Sequence, residues 1–354
     1  MDNLLPQALS LLQDDWVIYA LPLFFAALLI EWSLAWRKSL ALYERQDFLA
    51  SMGVMLLTVV VDVLPKLGGV LLMFVCWELS PLKEVVSRAP QWWVLLFFLD
   101  DLTYYSFHRA NHEVRFLWAG HASHHNSQYY NYGTALRQGV GERVIKYLFW
   151  CPLALLGFDP VMIITMMSVS LIYQFWLHTE TIDRMPVWFE WLFNTPSHHR
   201  VHHGSNVRYL DRNHAGVLII WDRLFGTFSP EIKAEPVRYG LTENIATHHP
   251  VRVAFGEYVN IARDLRRAGS WHNAIRYLFL APGWSHDGED KRSDVLRRRA
   301  LKHLVQPART LLVAMGAPRD RGIGLGERGF LTGRAGVVGH HLTIPDPGRG
   351  HGGG

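Results

Sequence analysis

The chain has 354 residues, 49% hydrophobic and only 19% charged, with 14 Trp, 13 Tyr, 18 Phe and a formal net charge of +4. This balance argues against an ordinary soluble protein, because nearly all long apolar runs precede residue 180 while charge accumulates after 230. The two cysteines, Cys76 and Cys151, lie inside apolar runs, which excludes a disulfide framework or a thiolate metal site.

In chain order, the N-terminal "MDNLLPQALSLLQDDW" lacks the basic start and small-residue cleavage site of a signal peptide, so the first long apolar segment is expected to stay as an anchor. That segment is 16–36, "WVIYALPLFFAALLIEWSLAW", about the 20 residues needed to cross a hydrocarbon core. Asp14 and Asp15 precede it, and Arg37, Lys38 and Arg45 follow it, which places 37–47 on the cytoplasmic side. Residues 48–79 are apolar but interrupted by Asp62, Pro65, Lys66 and Gly68-Gly69, and read either as one broken span or as a short hairpin. Residues 91–107, "QWWVLLFFLDDLTYYSF", form the next span and run directly into His108. Residues 144–177 are apolar over 34 positions with "GFDP" at 157–160, as expected for two helices crossing and returning. After 180 no stretch is long enough to span, and 215–221, "AGVLIIW", reads as a strand or a buried helical turn. The stretch "KRSDVLRRRALKH" (291–303) suits an anionic membrane surface better than nucleic acid. The Gly-rich segment 316–354 reads as a disordered tail.

Ten of the 19 histidines fall between 108 and 203. "HRANH" sets His108 and His112 four apart, "HASHH" gives His121, His124 and His125, and "HRVHH" gives His199, His202 and His203. His178 and His198 complete the ten. On helices the i, i+3, i+4 spacings put each group on one face. So many like cations would repel one another, so neutral imidazoles shared among metal ions explain the pattern best. Ligand counting gives two ions, and imidazole suits Zn, Cu, Fe and Ni alike. To share ions, the groups at 108–125 and 198–203 must lie on one side of a membrane, so 144–177 must cross it an even number of times. A transporter would want its ligands inside the spans, whereas these cluster at span ends.

The order span, HxxxH, HxxHH, hairpin, HxxHH resembles the membrane fatty acid hydroxylase and sterol desaturase superfamily, over about residues 100–240. "HRANHE", "LWAGHASHH", "NTPSHHRVHH", "WDRLFGTF", "YGLT" and "APGW" look most like its alkylglycerol monooxygenase branch. After "APGW" the chain departs from the animal members, turning basic and Gly-rich where they continue with apolar spans; its Arg-rich composition and short tail point to a bacterial relative. The resemblance implies an all-α, multi-span membrane protein with a histidine-rich di-metal cap on the cytoplasmic face of the cell membrane. It implies two iron ions, O2 as co-substrate, a membrane lipid as substrate, and an external electron donor such as tetrahydrobiopterin. The expected reaction is hydroxylation of a lipid C–H bond, as on an ether lipid; sterol, fatty acid or carotenoid hydroxylation or desaturation is the alternative. The expected division is N-terminal spans at 1–90, the catalytic domain at 91–240, peripheral basic helices at 241–315 and the tail.

By this match the ligands would be His108, His112, His121, His124, His125, His199, His202 and His203, then His178. Relatives carry a histidine pair four apart before the last motif, and here the first position is Gln174. His198 would be a ligand or a donor to one. Glu113, directly after the first motif, would bridge, relay protons or orient a ligand ring. Asp101, Asn213 and Asp222 are weaker supporting candidates, and Tyr104, Tyr105, Tyr129 and Tyr130 could line a lipid channel. His214, His248, His249, His272 and His286 read as surface or structural, and His340, His341 and His351 fall in the tail.

Overall fold

The computed structural model describes residues 4–13 and 16–302. The expected tail at 316–354, its histidines, and Asp14 and Asp15 lie outside the described residues. Among those described the chain is helical, with only isolated bridges such as Phe193–Leu218 and Gly204–Tyr239.

α1 (Leu4–Gln13) leads to α2 (Trp16–Arg37), which is long and apolar enough to cross a membrane. α3 (Arg45–Val61) and α4 (Val63–Glu78) meet at Asp62 with a bend of 50°. That falls far short of a reversal, so 48–79 is one broken path rather than a hairpin. Asp62 takes up the break by accepting from Gly141 N and Arg143 Nη1, both 3.0 Å away.

α5 (Pro90–Glu113) opens on proline at its first turn, where a missing N–H costs nothing. It runs 24 residues without a break, so the apolar stretch and the first histidine pair share one rigid rod. α8 (Arg143–Leu155) and α9 (Pro160–Phe175) are the two helices expected from 144–177. Between them Gly157 takes φ +95°, and a Cβ there would sit 2.6 Å from the Leu82 carbonyl, so only glycine fits. Asp159 caps α9 by accepting from Val161 N. Ser80 Oγ donates to Leu155 O, Trp77 Nε1 to Gly157 O, and Arg88 pairs with Asp159. The α8–α9 turn therefore meets the α4–α5 loop at one end, and both outer ends of the pair return to the histidines. Between these helices lies a core that includes Met73, Leu96, Phe107, Trp150 and Met162.

The cap is built from short elements: α6 (Arg115–His125), α7 (Tyr132–Leu136), α10 (Val187–Leu192), α11 (Pro196–His202) and α12 (Ile220–Phe225). Residues 215–221 divide between a one-residue bridge at Leu218 and the start of α12. α13 (Pro250–Arg267) packs on α6 and α3, and α14 (Trp271–Phe279) packs on α13 and α6.

Candidate metal centre

α5 presents His108 and His112 one turn apart, α6 presents His121, His124 and His125, and α11 with its C-cap presents His199, His202 and His203. His178 follows the end of α9. All nine are buried, and they sort into two groups in which the ligand-capable atoms lie within 4.8 Å of one another. The first comprises His108, His112, His121, His125 and His202; the second comprises His124, His178, His199 and His203.

The two HxxHH motifs divide in complementary ways. The i and i+4 rings of "HASHH" join the first group and its i+3 ring the second, whereas "HRVHH" sends i and i+4 to the second and i+3 to the first. Each motif thus contributes to both groups, and the rings of His125 and His203 stack at 4.3 Å where the groups meet.

Backbone and carboxylate acceptors fix the rings from outside. Nδ1 of His108 donates to the His214 carbonyl, His124 to Arg137, His178 to Gln174 and His202 to Arg212, at 2.8–3.0 Å. His112 Nδ1 lies 3.2 Å from Asp211 Oδ1, and His121 Nδ1 lies 3.5 Å from Glu142 Oε1. A carbonyl only accepts, so in the first four rings the proton sits on Nδ1 and Nε2 is a bare lone pair. Yet His124 Nε2 and His178 Nε2 are 3.3 Å apart. Two lone pairs cannot bond each other. The pairs 108–121, 121–125 and 178–199 show Nε2 separations of 3.1–3.2 Å. Imidazole nitrogens about 2.1 Å from one ion stand about 3.0–3.4 Å apart, so these spacings match the edges of a coordination shell. The Nε2 atoms of His112, His202 and His203 are buried without a hydrogen-bond partner. Both groups therefore fit metal ions of the kind imidazole takes.

Burial is the largest influence on these rings. It pushes His124, His125, His199, His202 and His203 far below the ordinary imidazole range, helped by neighbouring rings, and brings His178 to about 4. Neutral ligands are thus present at physiological pH.

The remaining sequence candidates fall elsewhere. His198 lies in neither group; its ring packs edge-on to Phe228, and its carbonyl accepts from Asn213. Glu113 is half-exposed on α5 and pairs with Arg109. The carboxylates nearest the rings are Asp211, hydrogen-bonded to His112, and Glu142, which accepts from Asn111 Nδ2 and lies 3.5 Å from His121 Nδ1; nothing in the spacing of the histidine motifs marks either. Asp101 accepts from Val217 N, Leu218 N and Trp221 Nε1, and Asp222 accepts from His214 N, Ala215 N and Thr227 Oγ1. They pin the 213–221 segment under the first group. Tyr104 lies beside His108, and Tyr130 donates to Leu177 O while stacking on Tyr239. His248, His249 and His272 are exposed. Of the two readings given to His214, surface or structural, burial excludes the first: it is fully buried, 5.0 Å from the His112 ring, with neither ring nitrogen hydrogen-bonded.

A cavity of about 650 Å³ reaches His112, His125, His202 and His203 and is walled by polar groups of α6, α13 and the 282–293 segment. Arg115 on its wall bridges to Glu257 and Asp264.

Comparison with known proteins agrees with this geometry. The fatty acid hydroxylase family matches residues 93–227. Alkylglycerol monooxygenase of Xenopus tropicalis is 38% identical over 270 residues, covering 76% of this chain and 60% of that protein. The Homo sapiens protein of that name is 38% identical over 271 residues with the same coverage. Ornithine lipid hydroxylase of Rhizobium tropici is 26% identical over 162 residues, 43% of this chain and 46% of that one. The chain thus spans about 60% of the length of the alkylglycerol monooxygenases named here. No solved structure matches significantly. Residues 93–227 thus match the fatty acid hydroxylase family, and the wider chain is similar to the alkylglycerol monooxygenases.

Proposed function

We propose that this protein is a membrane-bound di-iron oxygenase that hydroxylates a lipid C–H bond with O2, and that its substrates are ether lipids of the alkylglycerol type. The observation that carries the reading is the pairing of two buried, complementary histidine groups in a chain 38% identical to alkylglycerol monooxygenases. Similarity to an ornithine lipid hydroxylase favours, as a second reading, hydroxylation of another membrane lipid.

His108, His112, His121, His125 and His202 would hold one iron, and His124, His178, His199 and His203 the other. Iron bound there would supply reductive activation of O2, one oxygen atom entering the C–H bond and the other leaving as water, with two electrons and two protons drawn from an external donor such as tetrahydrobiopterin and from solvent. The protein's part is positional. The Nδ1 acceptors lock the tautomers, and Asp211 and Glu142 keep the rings of His112 and His121 oriented. Burial of all nine rings limits water around the reacting carbon. α2, the bent α3–α4 pair, α5 and the α8–α9 hairpin lie in the membrane, with the histidine cap on the cytoplasmic face. The polar cavity opens to the aqueous side, where a soluble reductant reaches the first group.

The test is lipid profiling, under 18O2, of membranes with and without the iron-loaded protein. Label in an alkylglycerol or its derived aldehyde is the expected result; label in another lipid selects the second reading. Label in no lipid product overturns both.

A further inference from the structure

The cap exposes an apolar face that the metal chemistry does not use. α10 buries none of its residues: Val187 is 87% exposed, Trp188 68% and Trp191 62%. Beside it, Leu224 and Phe225 of α12 are 70% and 48% exposed. The two helices form one surface, because Ile219 N donates to Leu192 O and the Arg223 guanidinium donates to the carbonyls of Glu190 and Trp191. Soluble surfaces seldom carry contiguous apolar patches of this kind without a partner.

The position of this surface identifies the partner. Phe225 stacks on Tyr105 of α5 at 5.3 Å, three residues before His108. Phe189 packs edge-on to Trp176 at the end of α9, two residues before His178, and Tyr173 Oη donates to Asn194 O. The patch therefore flanks both rods at the turn where the apolar sequence stops and the ligands begin. Down those rods and α2, outward-facing apolar side chains such as Leu29, Val94 and Phe98 continue the same exposure. The acidic member, Glu190, is turned inward, accepting from Met185 N and Thr195 Oγ1. Tryptophans and aliphatic groups at a span end, with no outward acid, are what the headgroup layer of a bilayer selects.

We infer that α10 and α12 form an interfacial platform that seats in the lipid headgroup layer and fixes the depth of the histidine centre against the membrane surface. A lipid leaving the bilayer beside α5 and α9 then meets the centre without crossing water. The inference rests on the membrane reading of α2 to α9, and the experiment separates the two.

Single cysteines at Trp188 and Leu224 are spin-labelled in the full chain, with Cys76 and Cys151 replaced by alanine, and the protein is placed in lipid nanodiscs. Leu29→Cys and Phe98→Cys serve as membrane standards and Arg266→Cys as the aqueous standard. Collision with oxygen against a water-soluble nickel chelate is then measured. The expected result places 188 and 224 between the standards, shielded from nickel at least several-fold relative to 266. Nickel exposure at 188 and 224 equal to that at 266, with 29 and 98 shielded, overturns the platform and leaves the surface to a protein partner. Exposure at 29 and 98 as well overturns the membrane reading itself. As a functional arm, Trp188→Ser/Trp191→Ser should raise the apparent KM for lipid in vesicles several-fold, while detergent-dispersed lipid is turned over as before. An equal loss in both formats counts against the platform.

Discussion

Asp211 Oδ1 lies 3.2 Å from His112 Nδ1, and its other oxygen accepts from Ser293 Oγ, so one carboxylate ties the first histidine group to the chain's basic C-terminal stretch. Burial alone would raise this acid, but the bonds from His112 and Ser293 outweigh it and hold it at about 2. The carboxylate is therefore ionised and keeps the His112 proton on Nδ1, leaving Nε2 a buried, unpartnered lone pair among the first group.

Asp211→Asn should accordingly weaken metal retention by about 10- to 100-fold and reduce turnover in step, the usual cost of losing a ligand's orienting partner. Glu113→Gln, which breaks only a half-exposed pair with Arg109, should leave both near wild type. Metal titration against a competing chelator reads the difference. Equal loss in the two variants would return the orienting role to Glu113.

His125→Ala and His203→Ala remove one ring from each group, and His272→Ala removes an exposed ring on α14. Either of the first two should abolish turnover, and the double variant should lose little more, because both rings serve one centre. Iron content should fall from about two per chain toward one in each single variant, given five and four imidazoles per site. His272→Ala should keep full metal and activity.

The apo protein should lose stability as pH falls below about 6.5. Buried rings such as His178, at about 4 in the folded state, stay neutral while the unfolded chain takes up protons at its ordinary value. The unfolded state therefore binds more protons between the two values. The stability these rings contribute is complete above about 6.5 and lost progressively toward 4. Thermal melts of metal-free protein in detergent between pH 8 and 5 check the sign; a flat profile would contradict burial of the rings.

Gly139→Ala should displace α6. A Cβ at 139 would lie 2.4 Å from the Gly120 carbonyl, one residue before His121. An overpacked contact against backbone costs about 1–3 kcal/mol, and here the shift falls on three ligands. Lower melting temperature together with weaker metal binding is expected, whereas a purely local effect would lower only the first.

Cysteines at Glu113, Lys233 and Arg266 should react with an impermeant thiol reagent from the cytoplasmic side, and one at Ser87, in the α4–α5 loop, from the other. Opposite-side labelling of 113 and 233 would break the α8–α9 hairpin as a membrane element.

Much of this was legible in the sequence because it depends on local periodicity. HxxxH and HxxHH put rings on one helical face through the 3.6-residue repeat, and "GFDP" ended α8 and began α9 through a left-handed glycine and a proline first turn. The break at Asp62 was equally visible, but not its angle, which follows from long-range bonds to Gly141 and Arg143. Spacing could not say which group each ring joins, since the crosswise division of the two HxxHH motifs arises only when α6 and α11 face each other. Nor could it set His198 apart from the two groups, bring Asp211 to His112, or choose between a surface and a buried His214. Those outcomes join residues far apart in sequence, such as His112 with Asp211, 99 positions on. They are decided by packing, because a side chain's partner is set by what the folded chain brings to it and not by its neighbours in sequence.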